Sequence, residues 1–283
     1  MKSKILKIAL VGLTNAGKST LVNCIVGETV SITNKKINTT QELILGITNI
    51  NNNQLIFYDT PGLNFLKSKI KTEKKLKINL WQGIDTSDLI IYLIDSKKID
   101  LKSVYENIKI LTPTKIKIII VFNKIDLIDK NKLLPIIKKI SELYEINSFF
   151  TISAKYNIGV KNLLNNLIKL SKYDKWLYLN DEISDKDESF ISIECTRNAI
   201  LTYLHDELPY NITIINKTFK YLNKNELKIK QQIIIDNKRY KKIILGKKGI
   251  KIKTIREFSQ KQISNILKYK THLYIEVVTD NAN

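Results

Sequence analysis

Gly12-Leu13-Thr14-Asn15-Ala16-Gly17-Lys18-Ser19 decides how the rest of this 283-residue chain is read. The octet has the form GxxxxGKS. It follows an apolar run, residues 5–11, that reads as a buried strand, and it opens a segment, residues 18–26, that reads as a helix. The placement has a physical purpose. Glycines let backbone N–H groups wrap an anion, and the start of a helix adds unsatisfied N–H groups and the positive end of its dipole. Lys18 can reach β- and γ-phosphate oxygens, and Ser19 can ligate Mg²⁺. Gly12 through Thr20 are therefore expected to cradle a nucleoside triphosphate.

Working outward, residues 1–172 alternate short apolar runs with helix-like segments, the pattern of an α/β domain around a mostly parallel, six-stranded sheet. Strands are expected at 5–11, 43–50, 54–58, 89–94, 116–122 and 149–152, with helices at 18–26, 101–111, 131–144 and 160–170. Asn51-Asn52-Asn53 reads as the turn of an antiparallel hairpin. Three further motifs fall at strand ends. Asp59-Thr60-Pro61-Gly62 supplies a carboxylate for the magnesium shell and the Gly62 amide for the γ-phosphate. Asn123-Lys124-Ile125-Asp126 supplies an aspartate that can accept from guanine N1–H and the 2-amino group, a donor pair adenine lacks. Ser153-Ala154-Lys155 fits a loop whose backbone N–H meets the guanine O6. Together they imply GTP or GDP with Mg²⁺. The metal shell is expected to comprise Ser19, Asp59 and Thr40, with Thr39 the alternative to Thr40 at the end of a polar segment that closes on the metal when the γ-phosphate is present. Lys18, Thr40, Asp59 and Gly62 are the residues expected to carry hydrolysis. Leu63 stands where a Ras-like protein has its water-orienting glutamine, so intrinsic turnover is expected to be slow.

Composition then shifts. Asp181, Glu182, Asp185, Asp187 and Glu188 crowd into a polar stretch, and residues 173–189 read as a linker before a second domain at 190–283. Its order reads helix, two strands, short helix, longer helix, strand. Between the last two helices lies Gly246-Lys247-Lys248-Gly249, a GxxG turn of the kind that clamps a sugar-phosphate backbone. A GxxG alone is weak, since many helix–helix turns have that form. Here Lys238, Arg239, Lys241, Lys242, Lys247, Lys248, Lys251, Lys253 and Arg256 crowd around it with no acid among them. Gly246, Lys247, Lys248, Gly249, Lys251 and Lys253 are the expected RNA contacts. Ile243, Ile244, Ile252 and Ile255 fit either a groove wall for unstacked bases or ordinary core.

The formal net charge of +20 favours a polyanionic partner, although a lysine- and asparagine-rich composition contributes to it. Clustering is therefore the better guide, because the acidic linker arose under the same composition. Cys24 and Cys195 are far apart and form no zinc spacing with His205 and His272. A reduced, cytoplasmic protein without structural metal is expected. The start of the chain reads as a first strand rather than a signal peptide, and no stretch has transmembrane length without charge.

These residues resemble the Era family, bacterial ribosome-assembly GTPases with a C-terminal KH domain of type II. The resemblance runs over nearly the whole chain. It is carried by Ser31-Ile32-Thr33 through Thr39-Thr40, by Asp59-Thr60-Pro61-Gly62-Leu63, by Glu207-Leu208-Pro209-Tyr210 and by the segment 244–255 around the GxxG turn. It implies a P-loop GTPase domain followed by an α+β KH domain, and a monomeric switch that binds 16S ribosomal RNA near its 3′ end and assists small-subunit assembly. The alternative is a GTPase acting on a non-ribosomal target, with the second domain as an adaptor. Three departures stand out: Gln41 for an arginine, Thr14 for a P-loop proline, and Asn64 for a histidine. The basic, tryptophan-containing tail of many relatives is also lacking, so peripheral contact with the inner membrane is left open and not expected.

Overall fold

The structure, a computed structural model, describes residues 2–32, 43–64, 74–144, 146, 148–204 and 212–279. It forms two compact units that part between Asp185 and Lys186, with Ile32 grouped with the second. In the first unit the order is β1 (Lys4–Val11), α1 (Lys18–Val26), β2 (Ile44–Ile50), β3 (Asn53–Asp59), α2 (Lys74–Asp85), β4 (Leu89–Asp95), α3 (Leu101–Leu111), β5 (Lys117–Asn123), α4 (Leu134–Tyr144), β6 (Phe149–Thr151), α5 (Val160–Leu170) and β7 (Lys172–Tyr173). The sheet runs β2-β3-β1-β4-β5-β6. All neighbours are parallel except the β2–β3 hairpin, and the two-residue β7 adds antiparallel to β1, making seven strands where the sequence suggested six.

Period-two alternation explains how the sheet is buried on both faces. Leu6, Ile8 and Leu10 of β1 join a core with Leu21 and Val22 of α1 and Leu163 and Leu167 of α5. Ala9 and Val11 point the other way, into a core with Leu80 and Ile84 of α2 and Val104 and Ile108 of α3. The parallel register brings the strand ends level: Leu10 pairs with Asp59, Val11 with Tyr92, Asp95 with Asn123 and Phe122 with Thr151. Every nucleotide motif read from the sequence leaves the sheet at this carboxyl edge, where open parallel sheets hold their ligands.

Two local readings change. The segment expected to be one helix over 131–144 opens with a 3-10 turn, Lys130–Leu133, capped by Asp129, and the α-helix begins at Leu134. Pro135, which has no N–H to donate backward, explains why the α-helix starts there. Helix α2 was not expected, although its buried Leu76, Leu80, Gly83 and Ile84 follow helical spacing. Gly83 is required by packing, since a Cβ there would lie 2.8 Å from Thr60 Cγ2 and 2.9 Å from Leu43 Cδ1.

The stretch read as a linker lies partly against the first unit. Gln54, fully buried in β3, accepts from Leu177 N (2.9 Å) and Tyr178 N (3.1 Å) and donates to Tyr178 O (3.0 Å). Ile47 N donates to Ile183 O (2.9 Å) and Leu45 N to Asp185 Oδ1 (3.0 Å). These bonds occupy backbone donors of β2 that an open sheet edge would leave exposed.

The second unit contains α6 (Glu188–Tyr203), β8 (Thr213–Asn223), β9 (Glu226–Ile235), α7 (Lys238–Leu245), α8 (Ile250–Leu267) and β10 (Lys270–Thr279), the order read from the sequence. Its sheet runs β10-β9-β8, with β8 antiparallel and β10 parallel to β9. Asp187 caps α6 by accepting from Phe190 N (2.8 Å). Ala199, Ile200, Ile233, Ile244, Ile255 and Val277 pack one part of the core, and Cys195, Leu227, Ile229, Ile263 and Leu273 another. Ile244 and Ile255 are fully buried, which settles their role as core.

Candidate nucleotide and nucleic-acid sites

The GxxxxGKS loop curls as its residue types require. Asn15 (φ 64°) and Gly17 (φ 99°) take left-handed backbone, and α1 begins immediately after Gly17. Gly12 and Gly17 are also fixed by space: a Cβ would lie 2.3 Å from Leu93 O at Gly12 and 2.3 Å from Asn123 Nδ2 at Gly17. Lys18 folds back across the loop, its Nζ donating to Gly12 O (3.1 Å) and Leu13 O (3.2 Å). Those carbonyls hold the ammonium at the mouth of the loop. Burial lowers the Lys18 ammonium to about 8, with Asp59 pulling the other way. Asp59 is itself buried, and desolvation raises its carboxyl against the opposing effects of Lys18, Ser19 and Ser31.

Asp59 Oδ2 accepts from Ser19 Oγ (2.6 Å) and Ser31 Oγ (2.9 Å), whereas its Oδ1 is buried without a partner among the described residues. A buried carboxylate oxygen left unsatisfied beside a serine hydroxyl is a donor set suited to a hard divalent cation. Ser31 was not singled out as a ligand-shell residue, and nothing in its spacing marks it. Thr60 Oγ1 donates to Leu10 O (2.7 Å), tying the Asp-Thr-Pro-Gly turn to β1, and Leu63 N donates to Gly12 O (3.0 Å). The Leu63 side chain is 2% exposed, packed with Ala9, Val11 and Leu80. Thr39 and Thr40 lie outside the described residues.

At the other end of the site, Asn123 braces two loops at once: its Nδ2 donates to Ala16 O (2.9 Å) and its Oδ1 accepts from Ala154 N (3.0 Å). Lys124, left-handed at φ 64°, reaches Asn15 O (2.7 Å) and pairs with Asp95 (2.6 Å). Asp95 is a contributor the sequence reading missed, and its position at the end of β4 beside β5 is the available signal. Ile125 is buried in the core, which anchors the turn. Asp126 is exposed and accepts from Ser153 Oγ on Oδ1 (2.5 Å). Of the 153–155 loop, from which a backbone N–H is expected to meet guanine O6, the Ala154 N–H is engaged by Asn123 here, and Lys155 is exposed. The structure therefore brings residues 12–20, 59–63, 123–126 and 153–155 together along one sheet edge.

In the second unit the turn between α7 and α8 has the backbone its glycines permit. Gly246 takes φ 69°, Lys248 φ 52° and Gly249 φ 75°. A Cβ at Gly246 would crowd Lys251 at 2.7–2.8 Å, whereas one at Gly249 would meet nothing within 4 Å. Gly246 shapes the turn, and Gly249 leaves its outer surface bare. Lys247, Lys248, Lys251 and Lys253 are all exposed.

Comparison with known proteins now decides the family. Residues 7–124 match the family model of a 50S ribosome-binding GTPase, and residues 207–283 match that of a KH domain. The chain is 38% identical to the GTPase Era of Ehrlichia ruminantium over 272 residues, covering 95% of this chain and 90% of the relative. It is 34% identical to the GTPase Era of Rickettsia conorii, covering 97% and 80%. The chain belongs to the Era family of GTPases.

Two solved structures of Era share its architecture. One, Era in complex with MgGDPNP and nucleotides 1506–1542 of 16S ribosomal RNA, has a TM-score of 0.84 at 30% identity, covering 98% of this chain and 95% of that one. The other, a variant of Aquifex aeolicus Era bound to GDP·AlF4⁻, has a TM-score of 0.83 at 30% identity, covering 99% and 95%. Against the Era pattern, two of the departures in this chain touch each other. Asn64 Oδ1 accepts from both Thr14 N (3.2 Å) and Thr14 Oγ1 (2.5 Å), and a Cβ on the intervening Gly62 would strike both partners. A proline at position 14 could offer neither donor, so this contact depends on the threonine. Gln41 and the segment 207–210 lie outside the described residues.

Proposed function

We propose that this protein is a cytoplasmic GTP-hydrolysing switch that binds 16S ribosomal RNA near its 3′ end through its KH domain and assists assembly of the small ribosomal subunit. One juxtaposition carries the reading. A single chain holds the Lys18–Asp59 phosphate and metal centre in one unit and a bare, lysine-flanked GxxG turn in the other, and the Era structure with both units holds MgGDPNP and 16S nucleotides. In this assignment residues 1–172 turn over nucleotide, 173–189 join the domains and 190–283 take the RNA.

Backbone N–H groups of residues 14–19 and the Lys18 ammonium would hold the β- and γ-phosphates, and the Gly62 amide would register the γ-phosphate. Phosphate negative charge beside Lys18 offsets the desolvation that depresses its ammonium, which couples binding to full charge on the lysine. Ser19 and the unsatisfied Asp59 Oδ1, with Thr40 as third donor, would hold Mg²⁺, which when bound neutralises charge developing on the phosphates. Asp126 selects guanine by accepting two hydrogen bonds, and Ser153 fixes the carboxylate's orientation for that task. Asn123 ties this base pocket to the phosphate loop. The buried Leu63 cannot orient water, so intrinsic turnover is slow and water is positioned by another group or by a partner.

Titration of labelled 16S 3′-terminal RNA into the protein loaded with a GTP analogue or with GDP tests the proposal. Binding that is tighter in the GTP-analogue form supports it. RNA-independent nucleotide turnover with no rRNA affinity in either form would instead favour an adaptor role for the second domain.

A further inference from the structure

The face of the second unit's sheet that points away from its helices carries a patch with an excess of lysines. Leu227, Ile229 and Leu273 pack towards Cys195 of α6 and Ile263 of α8. Strand alternation therefore turns Lys228, Lys230, His272 and Tyr274 to the opposite side. The register aligns them in two rows, Lys220–Lys228–His272 and Thr218–Lys230–Tyr274, across all three strands. Lys220 and Lys230 are exposed, and so is Tyr274, at 54%, with Lys228 Nζ over its ring 6.0 Å from the centre.

The charges on this face do not cancel. Lys220 stands directly across from Lys228, an arrangement that destabilises a sheet unless something anionic lies over it. Among the described residues none of Lys220, Lys228 and Lys230 has an ion-pair partner. Two acids share this side among the described residues: Glu226 is paired with Lys270 (2.8 Å) and lies 3.8 Å from His272 Nε2, and Glu276 accepts from the neutral Gln232 amide (2.8 Å) and keeps its charge, so three unpaired lysines face one uncancelled carboxylate. Phosphates can neutralise the lysines, and an exposed aromatic ring set among cations is the arrangement on which unpaired bases stack. An anionic lipid surface would answer the charge as well, and a vesicle-binding measurement tells the two apart.

We propose that this open sheet face is a second single-stranded RNA surface, distinct from the GxxG turn, engaged by RNA that extends beyond the nucleotides the turn clamps. Lys220, Lys228 and Lys230 take phosphates and Tyr274 takes a base. The proposal rests on the RNA-binding assignment of this unit, and the experiment separates the two.

Affinity and its salt dependence are measured for two RNAs. One is a single strand of about eight nucleotides, enough for the roughly four that a GxxG loop clamps. The other is the 3′-terminal fragment equivalent to nucleotides 1506–1542. In the full-length protein carrying Lys220→Gln, Lys228→Gln and Lys230→Gln, the long RNA loses about tenfold or more in affinity at moderate salt, and its log–log salt slope falls by about 2, or roughly 0.7 per phosphate. The short strand binds as before. Tyr274→Ala weakens the long RNA by about fivefold or more with its salt slope retained. Thermal melting checks that both variants keep their fold. Unchanged long-RNA affinity and slope in the triple variant would overturn the proposal while leaving the GxxG assignment standing. Equal loss on both RNAs, or loss confined to binding of phosphatidylglycerol-containing vesicles, would also overturn it. A wild-type protein that binds neither RNA would overturn both the proposal and the assignment beneath it.

Discussion

The chain contains two glycine-punctuated turns built for phosphates, and they are made in opposite ways. Around Lys18 every charged group is buried and held: the ammonium by two loop carbonyls, the Asp59 carboxylate by two serine hydroxyls. Around Gly249 the lysines are exposed, and a Cβ on the glycine would meet nothing. A closed site of fixed donors gains strength from its low dielectric and discriminates by geometry. An open turn flanked by flexible cations binds through counterion release and discriminates little by itself. The difference teaches where each function is fragile. The first site fails when one group is removed, and the second when its approach is blocked.

The largest effect is expected from Lys18→Ala, which deletes the only side-chain charge within the phosphate loop. Triphosphate binding or turnover should fall by about 10²–10³, the scale for loss of one preorganised donor at a charged transition state. Stopped-flow binding and single-turnover hydrolysis measure it, and turnover near wild type would break the contrast at its stronger end. Asp126→Asn should exchange base preference, because the amide can donate to the xanthine 2-oxo group where the carboxylate accepted from an amine. GTP affinity should fall by about 10–100-fold, the worth of charge-assisted bonds to the base, and XTP should gain. Undiminished GTP affinity would remove Asp126 from the base pocket.

Leu63→Ala sharpens the comparison differently, since Leu63 lies in the closed unit yet is core rather than catalyst. Intrinsic hydrolysis should stay within roughly tenfold, while stability drops by about 2–4 kcal/mol as a buried leucine is truncated. Denaturant titration alongside the hydrolysis assay separates the two, and a turnover loss of several orders of magnitude in folded protein would reassign the residue. The smallest change belongs to the open turn. Lys253→Ala should weaken different RNAs by similar, few-fold amounts and flatten the salt slope by roughly 0.7 if the lysine meets one phosphate. Sequence-selective loss would show that Lys253 reads bases.

What the sequence disclosed follows the same division. Motifs that depend on backbone conformation and strand position, 12–19, 59–62, 123–126 and 153–155, could be placed because each needs particular residue types at a strand end, and the parallel register then brings the ends level. Helix α2 was missed because Lys74, Lys75 and Lys77 dilute its apolar spacing. Partnerships between distant residues were also hidden. Asp95 with Lys124, Ser31 with Asp59 and Thr14 with Asn64 have no local periodicity, and only the fold shows that they meet. Gln54 was invisible for the same reason: one buried amide in an apolar strand reads as an exception until the strap that satisfies it is seen. In the second unit Lys220, Lys228 and Lys230 are scattered along two strands, and only strand register gives them a common side.

The central claim is that one chain spends GTP in a closed phosphate site and takes rRNA on an open GxxG turn. Gly249→Asp addresses it most directly. Space is available for the new side chain within the protein, although its left-handed backbone disfavours it, and the carboxylate would both block backbone approach and repel the phosphates. The decisive measurement is the affinity of wild type and Gly249→Asp for 16S 3′-terminal RNA, with RNA-free GTP hydrolysis and circular dichroism recorded on the same preparations. RNA binding abolished, with hydrolysis near wild type and the fold intact, is the predicted result. Unchanged rRNA affinity in a folded variant would contradict the account.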